Sequence, residues 1–120
     1  MDQLVVALDV QDGVAALALG NNLRDVVGAF KVGSRLFTTE GPDIVRTLAA
    51  NGTRVFLDLK FHDIPNTVAT AVAAATSLGV WMVNVHASGG TRMMQAARDA
   101  ARETAARERR HPPLVIAVTV

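Results

Sequence analysis

The sequence contains no cysteine, which removes disulfides and thiolate metal sites from consideration. It also has almost no net charge. Twelve Lys and Arg oppose 11 Asp and Glu, leaving +1 at neutral pH, so there is no electrostatic case for nucleic acid as a partner. No apolar run approaches the ~18 residues of a membrane span. The start, Met1-Asp2-Gln3-Leu4, lacks the basic and apolar regions of a signal peptide, and a cytoplasmic location is the default expectation. Linkers and low-complexity segments are missing too, so nothing divides the 120 residues, a length suited to one domain. What is present is apolar. Half of the residues are hydrophobic and 19% are charged, the composition of a folded globular chain.

Five short runs read as strands: 4-LVVALDV-10, 29-AFKVG-33, 54-RVFLDLK-60, 82-MVNVHA-87 and 114-LVIAVTV-120. Their nearly continuous apolar character suits parallel strands covered on both faces better than a half-wet sheet. Helical patterns fill the intervals. Asp12 can cap a helix over 13–21. Residues 41-GPDIVRTLAANG-52 place Ile44, Val45, Leu48 and Ala49 on one face and stop at Gly52. Residues 66–79 form an alanine-rich helix closed by Gly79, and 90 to about 109 form the longest, ending before Pro112 and Pro113. Strand and helix alternating at near-constant spacing indicate βα units in an α/β fold. About four such units plus a fifth strand match the first half of a (β/α)8 TIM barrel, whose usual length is ~250 residues. The expectation is therefore one partial barrel domain over 1–120. The strand-like ending at Val115 to Val120, with nothing after it to pair or cover it, suggests a piece of something larger.

The stretch 54-RVFLDLKFHDIPNT-67 carries Asp58, Lys60 and Asp63 at the end of an apolar run. Burying charge there is costly unless the charges serve one another. On a strand, positions i and i+2 share a face, so Asp58 and Lys60 point the same way. Lys31 and Asp9 stand at equivalent positions on the second and first strands. Ionisable side chains from three neighbouring strands thus meet at the carboxyl rim, where barrel enzymes bind substrate. A structural ion-pair cluster is the plain alternative, but four such groups on successive strands favour a site.

The segment from Asp58 through Lys60 and Asp63 to Thr67 resembles the signature of the orotidine 5′-phosphate decarboxylase family, and 30-FKVG-33 and 82-MVNVHASGG-90 resemble that family at matching distances. The resemblance runs from about Leu4 to Val120 and covers the first half of a family member. It implies removal of carbon dioxide from C6 of orotidine monophosphate to give uridine monophosphate, a step of pyrimidine biosynthesis, with no metal and no organic cofactor. It implies catalytic roles for Lys31, Asp58, Lys60 and Asp63. Lys60 would be the ammonium beside the developing carbanion and the proton donor to C6, with Asp58 beside the departing carboxylate. Lys31 would contact the ribose, and Asp9 would hold a ribose hydroxyl. Asp63 and Thr67, with Ile64 between them, would reach the neighbour's site across a homodimer interface. Charges fixed in place before reaction are what such chemistry needs.

Two rivals stand beside this reading. One is a magnesium-dependent sugar-phosphate enzyme of the 3-hexulose-6-phosphate synthase type, which carries an acidic residue where this chain has Lys31. The other is a non-catalytic half barrel that self-associates through its open edges. Asn66 or Thr67 could also cap the helix that follows. His62 and His86 read as rim residues. Ser88-Gly89-Gly90 reads as a tight strand-to-helix turn. The charges of 98–110 suit a solvated helix face with i, i+4 pairs, and Met93 and Met94 are core candidates.

Overall fold

The computed structural model describes residues 2–120. The chain runs β1 (Val5–Ala7), α1 (Gly13–Leu23), β2 (Ala29–Gly33), α2 (Ser34–Glu40), α3 (Pro42–Ala50), β3 (Val55–Phe61), α4 (Pro65–Ser77), β4 (Met82–His86), a 3-10 turn over Ala87–Gly89, α5 (Thr91–Glu108) and β5 (Leu114–Val118). The five strands form one sheet in the order β1-β2-β3-β4-β5, every neighbouring pair parallel. This is an α/β half barrel, as the alternation of patterns predicts.

Asp12 accepts from the Ala15 amide at 2.9 Å and caps α1. Ile44, Val45 and Leu48 are buried along α3, and Gly52 adopts a φ of 80° just past its end. Gly79, at φ 91°, does the same after α4, a conformation open to glycine at little cost. At 87–90 the tight-turn reading holds as well. Gly90 has a φ of 96°, and a Cβ on Gly89 would fall 2.2 Å from the Met93 sulfur.

Register fixes what each face carries. Ala7 pairs with Lys31, Lys31 with Phe56, Phe56 with Met82, and Met82 with Leu114, so these residues share one face. The other face holds Phe30, Val32, Val55, Leu57, Val83 and Val85, all buried against the helices. Met93, Ala97 and Val72 join that core, and Met94 is half-buried beside it. The expectation of cover on both faces is corrected. On the first face Val5, Leu114 and Ile116 are exposed, because every helix packs on the opposite side of a half barrel.

Other boundaries differ too. β1 ends at Ala7, although the Leu8 amide still donates to the Lys31 carbonyl at 2.9 Å. Helix α2 is not predicted: it is short, contains Thr38 and Thr39, and buries only Leu36. Helix α4 starts at Pro65 with Ile64 at its cap position and no side-chain cap, so Asn66 and Thr67 lie inside its first turn. Proline is suited to that first position, where its missing N–H costs nothing. The charged face of α5 is exposed, but its ion pairs are Arg98–Asp99, between adjacent residues, and Glu108, its last residue, with Arg110 just past its end. Among the described residues the expected i, i+4 pairs do not form. No helix among the described residues is long and apolar enough to cross a membrane.

Candidate active site

The carboxyl end of the sheet gathers the predicted charges around Asp58. Its residue is only 8% exposed, yet both oxygens are engaged. Oδ1 accepts from Lys60 Nζ at 2.8 Å and from Asn84 Nδ2 at 2.8 Å. Oδ2 accepts from Lys31 Nζ at 3.2 Å. Lys31 comes from β2 and Asn84 from β4, so three neighbouring strands converge on one carboxylate. The lysines are less covered: the side chain of Lys31 is 26% exposed and that of Lys60 is 47% exposed. A buried acid therefore anchors two cations that face the open side, positioned to meet an anionic ligand.

The expected common face of Asp58 and Lys60 arises by a different route from regular strand alternation. Between Leu57 and Phe61 the register with β4 slips. Leu57 pairs with Val83 and Phe61 with Val85, four steps on one strand against two on the other. Lys60 sits in this irregularity with a φ of 51°, left-handed backbone that non-glycine residues rarely adopt. Bulges re-aim side chains next to functional sites. Here the bulge folds the Lys60 ammonium back onto Asp58. The Lys60 amide is accepted by Asn84 Oδ1 at 2.9 Å.

Asn84 is the site residue that the sequence reading did not assign, although it lies within 82-MVNVHASGG-90. A polar residue flanked by Val83 and Val85 in an apolar strand must find partners when buried, and Asn84 is 2% exposed. That signal was available.

Asp9 and Asp63 stand further off. Asp9 Oδ1 and Lys31 Nζ lie 3.9 and 3.7 Å from the point where a Gly33 side chain would begin. Asp9 is thus at the same rim, but exposed and without an ion pair among the described residues. Asp63 accepts from the Ile64 amide at 2.7 Å and makes no ion pair with Lys60, so the alternating array closes only over Lys31, Asp58 and Lys60. Lys60, Asp63 and Thr67 do line one open cavity of about 320 Å³ between β3 and α4. Asp63, Ile64 and Thr67 are exposed. The His62 and His86 rings stand 5.4 Å apart at this end of the sheet. Among the described residues no group of three or more His, Cys, Asp or Glu could hold a metal ion. A larger cavity of about 400 Å³ lies at the opposite end of the strands, beside Arg24 and Arg54, and contains none of the predicted site residues.

Burial pushes the Asp58 carboxyl upward, but hydrogen bonds from Lys60, Asn84 and Lys31, with the Lys31 charge, outweigh it and hold the group below its ordinary range. A carboxyl depressed on folding contributes stability above its unfolded pKa and loses it as pH falls through the folded value. Its contribution should be complete above about pH 5 and decline through the usual aspartate range near ~3.9 and below. Urea unfolding of the native chain and of Asp58→Asn, from pH 7 to pH 3, checks this. The stability gap between them should narrow on acidification, and a constant gap contradicts the assignment.

Comparison with known proteins adds a family to this geometry. A profile described as the orotidine 5′-phosphate decarboxylase / HUMPS family matches residues 2–120. An orotidine 5′-phosphate decarboxylase of Chromobacterium violaceum is 56% identical over 117 residues, 98% of this chain and 45% of that protein. One of Moorella thermoacetica is 55% identical over 119 residues, 99% of this chain and 47% of that protein. The crystal structure of orotidine 5′-phosphate decarboxylase from Lactobacillus acidophilus superposes with a TM-score of 0.87 at 34% identity, covering 100% of this chain and 54% of that one. A crystal structure from Geobacillus kaustophilus, described as an uncharacterized conserved protein, gives 0.85 at 41% identity, covering 94% and 52%. The chain spans about half the length of the curated relatives it matches.

Proposed function

The chain belongs to the orotidine 5′-phosphate decarboxylase / HUMPS family, and from that premise we propose that it supplies the charged half of a cofactor-free decarboxylase active site acting on orotidine 5′-phosphate. The observation that carries the reading is Asp58 held between the Lys31 and Lys60 ammonium groups at 3.2 and 2.8 Å on the open side of the sheet.

In this reading the bond between C6 of the pyrimidine and its carboxyl carbon breaks, carbon dioxide departs, and the electron pair stays on C6. That pair lies in the ring plane, out of reach of the π-system, so a fixed positive charge must stabilise it. Lys60 provides the charge and then gives its proton to C6, forming the C6–H bond of uridine 5′-phosphate and leaving a neutral amine for solvent to reprotonate. Asp58 fixes both lysines and stands near the departing carboxylate. Lys31 and Asp9 face the ribose. Asp63, Ile64 and Thr67, exposed together at the start of α4, serve the site of a second subunit in a homodimer. The setting is cytoplasmic pyrimidine biosynthesis.

The rival reading is a magnesium-dependent sugar-phosphate enzyme of the 3-hexulose-6-phosphate synthase type. Lys31 argues against that alternative, because an ammonium 3.2 Å from Asp58 would repel a divalent ion bound there. Phosphate in such barrels is usually held by loops after the seventh and eighth strands, and the described residues form five strands. Contacts to a remote phosphate raise turnover as well as affinity.

The test joins residues 1–120 to the part of the Chromobacterium violaceum relative that the match leaves uncovered, giving a completed chain. It should decarboxylate orotidine 5′-phosphate equally with and without chelator and sediment as a dimer. The 120 residues alone should show little or no turnover. Loss of activity on chelation, an inactive completed chain, or a fully active 120-residue chain would overturn the corresponding part of the reading. A monomer would remove the shared site.

A further inference from the structure

We propose that Asn84 is a positioning residue for Lys60: its amide, locked in one orientation, holds the β3 bulge in the shape that turns the Lys60 ammonium onto Asp58. The inference rests on the functional reading for its kinetic consequence, but its geometric part stands alone. Lys60 N–H can only donate, and an ionised Asp58 can only accept. With those partners at 2.9 and 2.8 Å, the carboxamide has one satisfied orientation, Oδ1 toward Lys60 and Nδ2 toward Asp58. Flipping it would set two donors, and separately two acceptors, against each other.

The bulge creates the need for this amide. Where four steps of β3 oppose two of β4, two residues of β3 are left out of the ladder. A non-glycine residue in left-handed backbone is strained and persists only where its surroundings enforce it. Asn84 is that enforcement. It accepts the Lys60 amide and, with its other end, fixes the same Asp58 oxygen that receives the Lys60 ammonium. One side chain therefore sets both ends of Lys60, its backbone and its charge. Asn84 faces substrate with neither group, since both are spent inside the cluster and the residue is buried.

The test uses Asn84→Leu, Asn84→Asp and, as control, His86→Asn on the same strand. In the 120-residue chain, hydrogen exchange of the Lys60 amide should speed at least tenfold in Asn84→Leu, with Val83 and Val85 amides unchanged. In the completed chain, Asn84→Leu should lower kcat by about 100-fold, the cost of a small misplacement of a reacting group, with KM little changed. Asn84→Asp separates positioning from bulk. When protonated, its carboxyl can donate to Asp58 and accept from Lys60 N–H. When ionised, it opposes Asp58, with Lys31, Lys60 and His86 as the other titratable groups nearby. Its kcat should therefore fall with rising pH in a step that the native chain and the control lack. Unchanged Lys60 exchange in Asn84→Leu overturns the proposal. So does equal kcat loss in Leu and Asp variants with identical pH profiles. If the native completed chain is inactive, the functional reading fails, and the exchange measurement alone decides the role of Asn84.

Discussion

Replacing Lys60 with alanine in the completed chain lowers kcat for orotidine 5′-phosphate by about 10⁴-fold or more, because a fixed charge worth ~10²–10³ and a proton donor worth ~10²–10⁴ are lost together. KM should move far less, since Lys60 interacts mainly with charge that develops during reaction. Folding should be nearly unaffected. The Lys60 side chain is 47% exposed although Asp58 is buried, and an ion pair half open to water contributes on the order of 1 kcal/mol. Asp58 would keep two of its three hydrogen-bond donors, Asn84 and Lys31. Steady-state kinetics with urea unfolding as control measures both parts. A loss under tenfold, or a parallel collapse in stability, would remove Lys60 from the chemistry.

The second large effect is on the fold. Phe30→Ala should destabilise the chain by about 3–5 kcal/mol, the usual cost of emptying a buried phenylalanine site. Phe30 is 1% exposed and, with Val32, lies on the helix-covered face of β2. These two residues flank Lys31, and their burial on one side is what turns Lys31 to the other. Net stability of a domain is only about 5–15 kcal/mol, so this single change removes a large share of it. Urea unfolding should show a lower midpoint at an unchanged slope. Val14→Ala, at a position 80% exposed, should shift stability by less than about 0.5 kcal/mol. A Phe30→Ala cost below about 1 kcal/mol would mean the core lies elsewhere.

Local signals made much of this architecture legible. The apolar runs around Phe30, Leu57 and Val83 identify the strands because each buries one face against helices. Asp12, Gly52 and Gly79 punctuate the helices through cap chemistry that depends only on near neighbours. The gathering of Lys31, Asp58 and Lys60 at one rim follows from counting positions to the strand ends, but the bulge, not regular alternation, brings Lys60 onto Asp58. The failures have a different origin. Helix α2 buries too little for its seven residues to show a period. The start of α4 was misplaced because proline preference at Pro65 outweighs the capping capacity of Asn66 and Thr67. The Lys60 bulge depends on register against β4, a pairing across 24 residues between Lys60 and Asn84 that no local pattern encodes. Asn84 stands out locally as a polar residue between Val83 and Val85, but which partners it takes depends on β3.

A bound pair of ligands tests the account most directly. Uridine 5′-phosphate and an analogue of it bearing a negatively charged oxygen at C6 differ mainly in the charge that Lys60 is held to stabilise. Calorimetric titration of the native completed chain should show the anionic analogue binding at least 100-fold more tightly, within the range of transition-state mimics. In Lys60→Ala that advantage should vanish while affinity for uridine 5′-phosphate stays within a few-fold. Equal weakening of both ligands, or an advantage that survives the substitution, would contradict the claim that Lys60, set by Asp58, stabilises charge at C6.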